Sequence, residues 1–247
     1  MRRFYKEVDV TPHRKIRAAD FSASPSRGEA KNAFAILLDG KVIKTPMRKT
    51  LALPTHALAE AVAEEWRSQS EKIVPETMPL TKLANTAIDR VAGNEGAIVE
   101  SIAAYANDLL CYRAETPDDL AARQNELWNP LLDWAARHHG VRLNVASGIV
   151  HISQPEEALT AVRAALAAQD AFVLTALHNA ATICGSVVLV LALEGGRLGA
   201  EEAFALSQLD ERYQAEKWGT DPEAAKRSAA LAAELDAAMR FMRLARE

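Results

Sequence analysis

The histidines, cysteines and acidic residues of this 247-residue chain lack the spacing that catalytic and metal sites require. His138 and His139 are adjacent, and neighbouring helical positions diverge by about 100°, so a shared metal ion is disfavoured. Cys111 and Cys184 show no Cys-x-x-Cys spacing and are expected to be buried thiols. The sequence also contains no P-loop, nucleophile elbow or HExxH helix. We therefore expect no catalytic residue, no metal and no cofactor.

Three polar residues are nevertheless candidates for a ligand site. Asp108 and Arg113 lie near the end of a predicted helix, where we interpret them as structural residues of a network that holds the helix against its neighbours. His178 lies in an apolar run and is interpreted as a hydrogen-bonded core histidine, with a general base as the alternative. The alternative function is therefore a small-ligand-binding protein or enzyme that uses the cleft between two domains.

Residues 206–222 concentrate charged and amide side chains together with two large aromatic rings. On a helix, Tyr213 shares an apolar face with two leucines, whereas Glu211, Gln214 and Trp218 fall on roughly the opposite face. A tryptophan away from the core-facing side is typical of a binding surface. We predict that this segment binds a partner; the alternative is that Trp218 folds back over the helix corner.

Charge and hydropathy exclude two classes of partner. The formal net charge is −4, and no block of Lys and Arg offers the positive surface that a phosphate backbone requires, so we expect no nucleic acid. Residues 171–193 are apolar, but His178 and Asn179 would be costly in hydrocarbon. We therefore expect no membrane insertion and predict a single buried helix there.

The first part of the chain has the pattern of a small antiparallel sheet. Apolar residues at 34–38 precede an Asp-Gly turn at 39–40, and further strands are predicted at 42–44 and 51–53. Residues 18–32, rich in Ala, Ser and Gly, are expected to form a loop.

A helix is predicted from Thr55, and Trp66 shares its apolar face with Val62, which makes Trp66 a predicted structural core residue. Helical periodicity then continues almost without interruption. The predicted fold class is α+β, with a small N-terminal beta-containing domain at residues 1–77 followed by a larger C-terminal helical bundle at residues 78–247.

Local signals within the second domain predict further elements. Helices are expected at residues 200–217 and 222–245, with a Gly and an Asp-Pro pair forming the corner between them. Alternating valines and leucine predict a short strand at 141–145. Residues 153–156 have the pattern of a capping box at the start of a helix.

Several segments, taken in order over nearly the whole chain, resemble the family of ATP synthase assembly chaperones that hold the free alpha subunit of the catalytic head. The matching segments are LDGKVIKTP at 38–46, LPT at 53–55, EEW at 64–66, MPLTKL at 78–83, DLLCYR at 108–113 and LDERYQAEKWG at 209–219.

This resemblance implies a small beta-containing N-terminal domain and a C-terminal orthogonal helical bundle. It also implies a chaperone, not an enzyme, that binds the unassembled alpha subunit and prevents its aggregation until the subunit joins the beta subunit. No transit peptide is visible before the first strand, so the resemblance implies a bacterial cytoplasmic member, whereas eukaryotic relatives act in the mitochondrial matrix. We expect the chain to be a monomer.

The resemblance also assigns roles to individual residues. It implies that the acidic pair Asp210 and Glu211 is needed for chaperone action, and it places the tryptophan of the Glu-Glu-Trp motif at Trp66. The predicted client-binding residues are Asp210, Glu211, Gln214 and Trp218.

Overall fold

The computed structural model of the chain describes residues 2–12 and 33–247. The loop predicted at residues 18–32 lies outside the described residues. The described part confirms the α+β class, with a small N-terminal strand region and a larger helical region after it.

The chain forms two compact units. The first consists of Met1–Glu95, Asp170–Ala176 and Ala237–Glu247, and the second consists of Gly96–Gln169 and Leu177–Asp236. The boundary predicted between residues 77 and 78 stays a prediction.

The first unit contains a four-stranded antiparallel sheet in which the second strand pairs with each of the others. The predicted turn is confirmed: Asp39 and Gly40 both adopt positive φ angles, 48° and 75°, which a tight hairpin requires. The Asp39 carboxylate also accepts hydrogen bonds from the backbone N–H groups of Lys6 and Glu7, at 2.9 and 2.8 Å. The strands are β1 Val8–Pro12, β2 Phe34–Leu38, β3 Lys41–Val42 and β4 Ala52–Leu53.

The helix predicted after this sheet is present as α1, His56–Arg67, and Thr55 caps it by accepting a hydrogen bond from the Leu58 N–H at 3.1 Å. Val62 is fully buried, as predicted. Trp66, predicted as a core residue, is half-buried rather than enclosed.

Glu65, the second acid of the Glu-Glu-Trp motif, joins α1 to the next helix, α2 at Pro79–Thr86. Its carboxylate accepts hydrogen bonds from the Leu80 N–H at 2.7 Å and from the Thr81 N–H at 2.8 Å and Oγ1 at 2.7 Å. Burial raises the pKa of Glu65. Because Met78 at the N-cap offers no side-chain acceptor, Glu65 satisfies the first N–H groups of α2 from a different helix.

The remaining helices build most of the second unit, and three of them, α3, α6 and α10, contribute residues to both units, α3 only its first residue, Glu95, to the first unit. They are α3 Glu95–Ala103, α4 Asp118–His139, α5 Glu156–Ala167, α6 Ala171–Cys184, α7 Val187–Glu194, α8 Ala200–Ser207, α9 Leu209–Trp218 and α10 Pro222–Arg246. Two short parallel strands, β5 Tyr112–Arg113 and β6 Ala146–Ser147, complete it.

The single buried helix predicted at 171–193 is wrong, because the chain breaks between α6 and α7. Gly185 has a φ of 63°, a left-handed conformation that ends α6. Ser186 then caps α7, and its Oγ accepts a hydrogen bond from the Leu189 N–H at 3.0 Å. The apolar character of the run was predicted correctly, since every residue from Val187 to Leu193 is buried.

The single helix predicted at 200–217 is also wrong, since α8 ends at Ser207 and α9 begins at Leu209. The indole Nε1 of Trp128 donates a hydrogen bond to the Leu206 carbonyl at 3.1 Å. In an uninterrupted helix that carbonyl would accept from the N–H four residues later. A tertiary contact thus replaces a helical hydrogen bond at the break.

Two further local predictions are wrong. The predicted strand at 141–145 is not formed; pairing occurs at Ala146–Ser147, whose residues are the ones that lie beside β5. The predicted capping box fails because α5 begins only after Pro155, which places Ser153 too far from the first helical N–H groups.

Asp108 is a fully buried carboxylate that caps α7 from a distant part of the chain. Its Oδ2 accepts hydrogen bonds from Ser186 Oγ and the Val188 N–H, both at 2.9 Å, and its Oδ1 accepts from the Leu110 N–H at 2.9 Å. Burial raises the pKa of Asp108 to about 6, although these hydrogen bonds act in the opposite direction. Because α7 is buried on every side, its first N–H groups depend on this carboxylate rather than on water.

Arg113 is buried beside Asp108 and holds α4. Its Nε donates to Asn125 Oδ1 at 2.9 Å, its Nη2 donates to Asn129 Oδ1 at 2.8 Å, and its Nη1 donates to the Leu110 carbonyl. The guanidinium also lies over the Trp128 ring, 5.1 Å from its centroid.

Replacing the Asp108 carboxylate should destabilise the protein more than replacing an exposed cap. Asp108→Ala leaves two buried N–H groups and one hydroxyl without their acceptor, so we expect a loss of about 2–4 kcal/mol in the free energy of unfolding. Asp221→Ala, which removes the exposed cap of α10, should cost about 1 kcal/mol. Urea unfolding followed by circular dichroism measures both, and equal losses would contradict the assigned role.

The raised pKa of Asp108 predicts how its contribution depends on pH. The folded protein keeps the Asp108 proton up to about pH 6, whereas the unfolded chain releases it near pH 4. The contribution of Asp108 to stability therefore falls as the pH rises from about 4 to about 6. The difference in unfolding free energy between wild type and Asp108→Ala should be largest near pH 4 and smaller above pH 6; a difference that grows over this interval would refute the prediction.

Candidate functional site

Helix α9 is fixed against α4 by charged and hydroxyl side chains along one side. Asp119 at the start of α4 accepts hydrogen bonds from Tyr213 Oη at 2.6 Å and from Lys217 Nζ at 3.1 Å. Arg123, one turn later, donates both terminal nitrogens to the Glu216 carboxylate at 2.8 and 3.2 Å. The hydrogen bond from Tyr213 is the main reason that the pKa of Asp119 is lowered. The contacts hold the second half of α9.

The first turn of α9 is fixed by Asp210, whose Oδ1 accepts a hydrogen bond from Gln124 Nε2 at 2.7 Å. Gln124 is buried in α4, and its Oε1 accepts a hydrogen bond from the Ala114 N–H at 2.7 Å. Asp210, predicted from the sequence as a client-binding residue, therefore also has a structural contact within the protein. This half-buried carboxylate satisfies a core amide as well as carrying charge.

The opposite side of α9 faces solvent. Glu211 and Gln214 are exposed, and Trp218 is 78% exposed. Within residues 2–12 and 33–247, none of these three side chains has a hydrogen-bond or ion-pair partner. The alternative in which Trp218 folds back over the helix corner is therefore wrong.

The corner after Trp218 has the predicted geometry. Gly219 ends α9 with a φ of 89°, and Asp221 caps α10 by accepting hydrogen bonds from the Glu223 and Ala224 N–H groups, each at 3.2 Å. The chain therefore leaves α9 immediately after the indole, and Trp218 stands at the end of a helix that is held in place.

We define Glu211, Gln214 and Trp218 as the α9 face. It combines a negative charge, an amide and a large aromatic ring without an acid–base pair or a nucleophile within it. A tryptophan brings more apolar area to a contact than other side chains and is enriched among residues that dominate binding energy. The arrangement fits protein recognition better than catalysis.

Trp66 is not part of the α9 face, because it belongs to the first unit. Its ring packs against Tyr5 in an edge-to-face manner with centroids 5.7 Å apart, and Tyr5 Oη donates to the Trp66 carbonyl at 2.7 Å. Its Nε1 is buried without a hydrogen-bond partner in the described part of the chain.

The residues of the alternative ligand site are engaged within the protein. The polar atoms of Asp108 and Arg113 bond to neighbouring backbone and side-chain groups, as described above. His178 is hydrogen-bonded as predicted, with Nε2 3.0 Å from Ser101 Oγ, but it is half-buried rather than a core residue. Burial lowers its pKa. Residues 101 and 178 are too distant in sequence for the pairing to be predicted.

Residues 2–12 and 33–247 contain neither a candidate metal site nor a candidate membrane span. There, no three His, Cys, Asp or Glu side chains come close enough together to bind a metal ion. Cys111 and Cys184 are buried thiols, and burial raises the pKa of each to about 12. Over the same ranges, none of the helices combines the length and apolarity that crossing a bilayer demands.

Sequence reasoning missed the residues that position α9. Asp119 lies in the first turn of α4, and its partners Tyr213 and Lys217 are more than ninety positions away, so no local pattern predicts these contacts. Gln124 did have a sequence signal, because it lies on the apolar face of α4, and a buried amide there needs a hydrogen-bond partner from elsewhere in the protein. Glu65, which caps α2 rather than positioning α9, had no sequence signal beyond its place in the Glu-Glu-Trp motif.

Comparisons with known proteins agree with this architecture. The chain matches the ATP12 chaperone protein family over residues 2–136. It is 29% identical over 198 residues to the mitochondrial protein atp12 of Schizosaccharomyces pombe, covering 75% of this chain and 68% of the relative.

Two solved structures share the fold. The crystal structure of Atp12 from Paracoccus denitrificans is 40% identical, covers 99% of this chain and 98% of its own, and superposes with a TM-score of 0.86. A protein from Agrobacterium tumefaciens is 39% identical, covers 98% of this chain and 85% of its own, and has the same TM-score. Because the family match spans more than half of the sequence, the chain belongs to the ATP12 chaperone family, an ATP synthase assembly family and not an enzyme family.

Proposed function

We propose that this assembly chaperone binds the unassembled alpha subunit of the ATP synthase catalytic head and prevents its aggregation until it joins the beta subunit. The α9 face carries the proposal, because an exposed tryptophan is presented on a helix whose other side is fixed to α4. Membership of the ATP12 family supports a protein client.

The client-binding residues in this proposal have two kinds of role. Glu211 and Gln214 supply polar recognition, and Trp218 supplies an apolar anchor. Asp210 belongs to the same segment, and its hydrogen bond to Gln124 orients the start of α9. Anchoring matters because a contact that is already ordered loses less conformational entropy on binding.

Such a chaperone acts without chemistry. An unassembled subunit exposes apolar interface surface that promotes aggregation, and a protein that covers this surface lowers the concentration of the free form by mass action. Release follows when the beta subunit competes for the same surface. We propose that the protein acts as a monomer in the bacterial cytoplasm.

Reversing the charge of Glu211 should separate binding from stability. The Glu211 carboxylate is exposed, so Glu211→Lys should change the free energy of unfolding by less than about 0.5 kcal/mol. At an interface the same change creates a like-charge contact or an unpaired partner, so it should abolish suppression of alpha-subunit aggregation, measured by light scattering. Glu76→Lys makes the same charge change at an exposed position of the first unit and should retain full activity. Unfolding of Glu211→Lys, or full activity, would refute the assignment.

Trp218→Ala and Asp210→Ala should fail in different ways. Trp218→Ala should keep the wild-type melting temperature and lose at least about tenfold in affinity for the alpha subunit, because an exposed anchor is removed. Asp210→Ala should lower the unfolding free energy by about 1–3 kcal/mol, because the buried Gln124 amide loses its acceptor. Calorimetry and thermal unfolding measure the two effects. Phe4→Ala, which removes another exposed ring, serves as the control for binding; wild-type affinity of Trp218→Ala would contradict the anchor role.

A further inference from the structure

A second exposed apolar feature lies in the loop between α4 and α5. We define residues 145–152 as the apolar loop. Ile149 is 99% exposed and Val150 is 75% exposed, and Val145 beside them is also exposed. Isoleucine and valine are among the residues most often buried, so two consecutive ones in solvent form a candidate contact surface.

The turn of the apolar loop is built at Gly148. Its N–H donates to the Arg113 carbonyl at 2.8 Å, which continues the pairing of β6 with β5. Gly148 has a φ of 80°, and a Cβ at this position would lie 2.7 Å from Glu115 Oε1. The Glu115 side chain could move away from such a Cβ, so the positive φ is the feature that favours glycine at this turn.

The base of the apolar loop is closed by a second set of hydrogen bonds. The Asn144 N–H donates to Gln154 Oε1 at 2.7 Å, and Gln154 Nε2 donates back to the Asn144 carbonyl at 3.2 Å. Asn144 Nδ2 also donates to the Ser153 carbonyl at 3.0 Å. Because hydrogen bonds hold both ends of the loop, its apolar tip should lose less conformational entropy on binding than a flexible loop would.

The C-terminal end of the apolar loop also borders a groove. The chain from His151 to Gln154 lines one side of a groove with a volume of about 460 Å³, and Ala103, Ala106 and Leu159 contribute to the lining. The Arg163–Glu100 ion pair, at 3.0 Å, also lies along the groove. The groove lining therefore mixes apolar and charged side chains, and the exposed apolar residues of the loop are those at its tip.

We propose that the tip of the apolar loop is a second contact for the protein client, with Ile149 and Val150 inserted into an apolar interface surface of the unassembled subunit. This inference rests on the proposed function, since the occupant is the client of that function. Residues 143–153 contain no Lys, Arg, Asp or Glu, so the loop complements an uncharged apolar surface. An anionic membrane is the weaker fit, because surface attachment to it depends on basic side chains beside the apolar ones.

Removing the apolar tip should weaken client binding and leave the fold intact. In the double variant Ile149→Ser, Val150→Ser, the hydrogen bonds of Gly148, Asn144 and Gln154 are retained, so the melting temperature should be unchanged. Its affinity for purified alpha subunit, measured by calorimetry, should fall at least about tenfold. Met47→Ser, which removes a 57% exposed side chain of the first unit, is the matched control.

The result separates the two proposals. Failure of the wild-type protein to bind the alpha subunit would refute the proposed function and this contact together. Binding by the wild type with equal affinity in the double variant would refute the apolar loop contact alone.

Cross-linking identifies the occupant directly. The two native cysteines are buried, so Ile149→Cys introduces a single accessible thiol for a benzophenone maleimide. Irradiation of the labelled chaperone with alpha subunit should yield a one-to-one adduct, and labelled Met47→Cys should not. An adduct between two chaperone chains would overturn the proposal. The proposal would also be overturned if the wild-type protein floated with phosphatidylcholine–phosphatidylglycerol vesicles and the double variant did not.

Discussion

The hydrogen bonds from α4 to α9 are the interaction on which the candidate binding surface depends. Asp119 receives both a hydroxyl and an ammonium group of α9, and Arg123 holds Glu216 with two hydrogen bonds. The charged contacts are exposed, so each contributes little stability alone. Their role is to position α9: one side of this ten-residue helix packs against α4, and the other side faces solvent. Trp218 lies on the solvent side, at the C-terminal end of α9.

Two carboxylates, the half-buried Glu65 and the fully buried Asp108, perform a related task, one inside each unit. Glu65 satisfies the first N–H groups of α2 in the first unit, and Asp108 satisfies those of α7 in the second. Each joins segments distant in sequence, at the point where a helix begins away from water. A buried charge is costly unless it is fully hydrogen-bonded, which explains why every oxygen of these two groups has an N–H or hydroxyl donor. The starts of these two helices are therefore set by tertiary contacts rather than by local capping residues alone.

Local chemistry allowed much of the fold to be predicted. The Asp-Gly hairpin at 39–40 and the corner at Gly219 and Asp221 need particular backbone conformations that few residues adopt, and both were found where the sequence indicated. The exposed side of α9 followed from helical periodicity, and the family followed from the order of several short segments.

The parts that could not be predicted depend on contacts between distant residues. The break after Ser207 involves the indole of Trp128, and the role of Asp210 depends on an amide 86 positions earlier in the chain. The break at Gly185 had a local signal, a glycine followed by a serine, which the long apolar run outweighed. Hydrophobic periodicity predicts which side of a helix is buried, but it does not identify the hydrogen-bond partner of a buried polar group.

Hydrogen–deuterium exchange of the chaperone, alone and bound to purified alpha subunit, tests the central claim most directly. The account predicts slower exchange on complex formation in peptides that span residues 208–221, the helix and corner that present Trp218. Slower exchange confined to other segments, with unchanged exchange over 208–221 in a saturated complex, would contradict the assignment of α9 as the client-binding element.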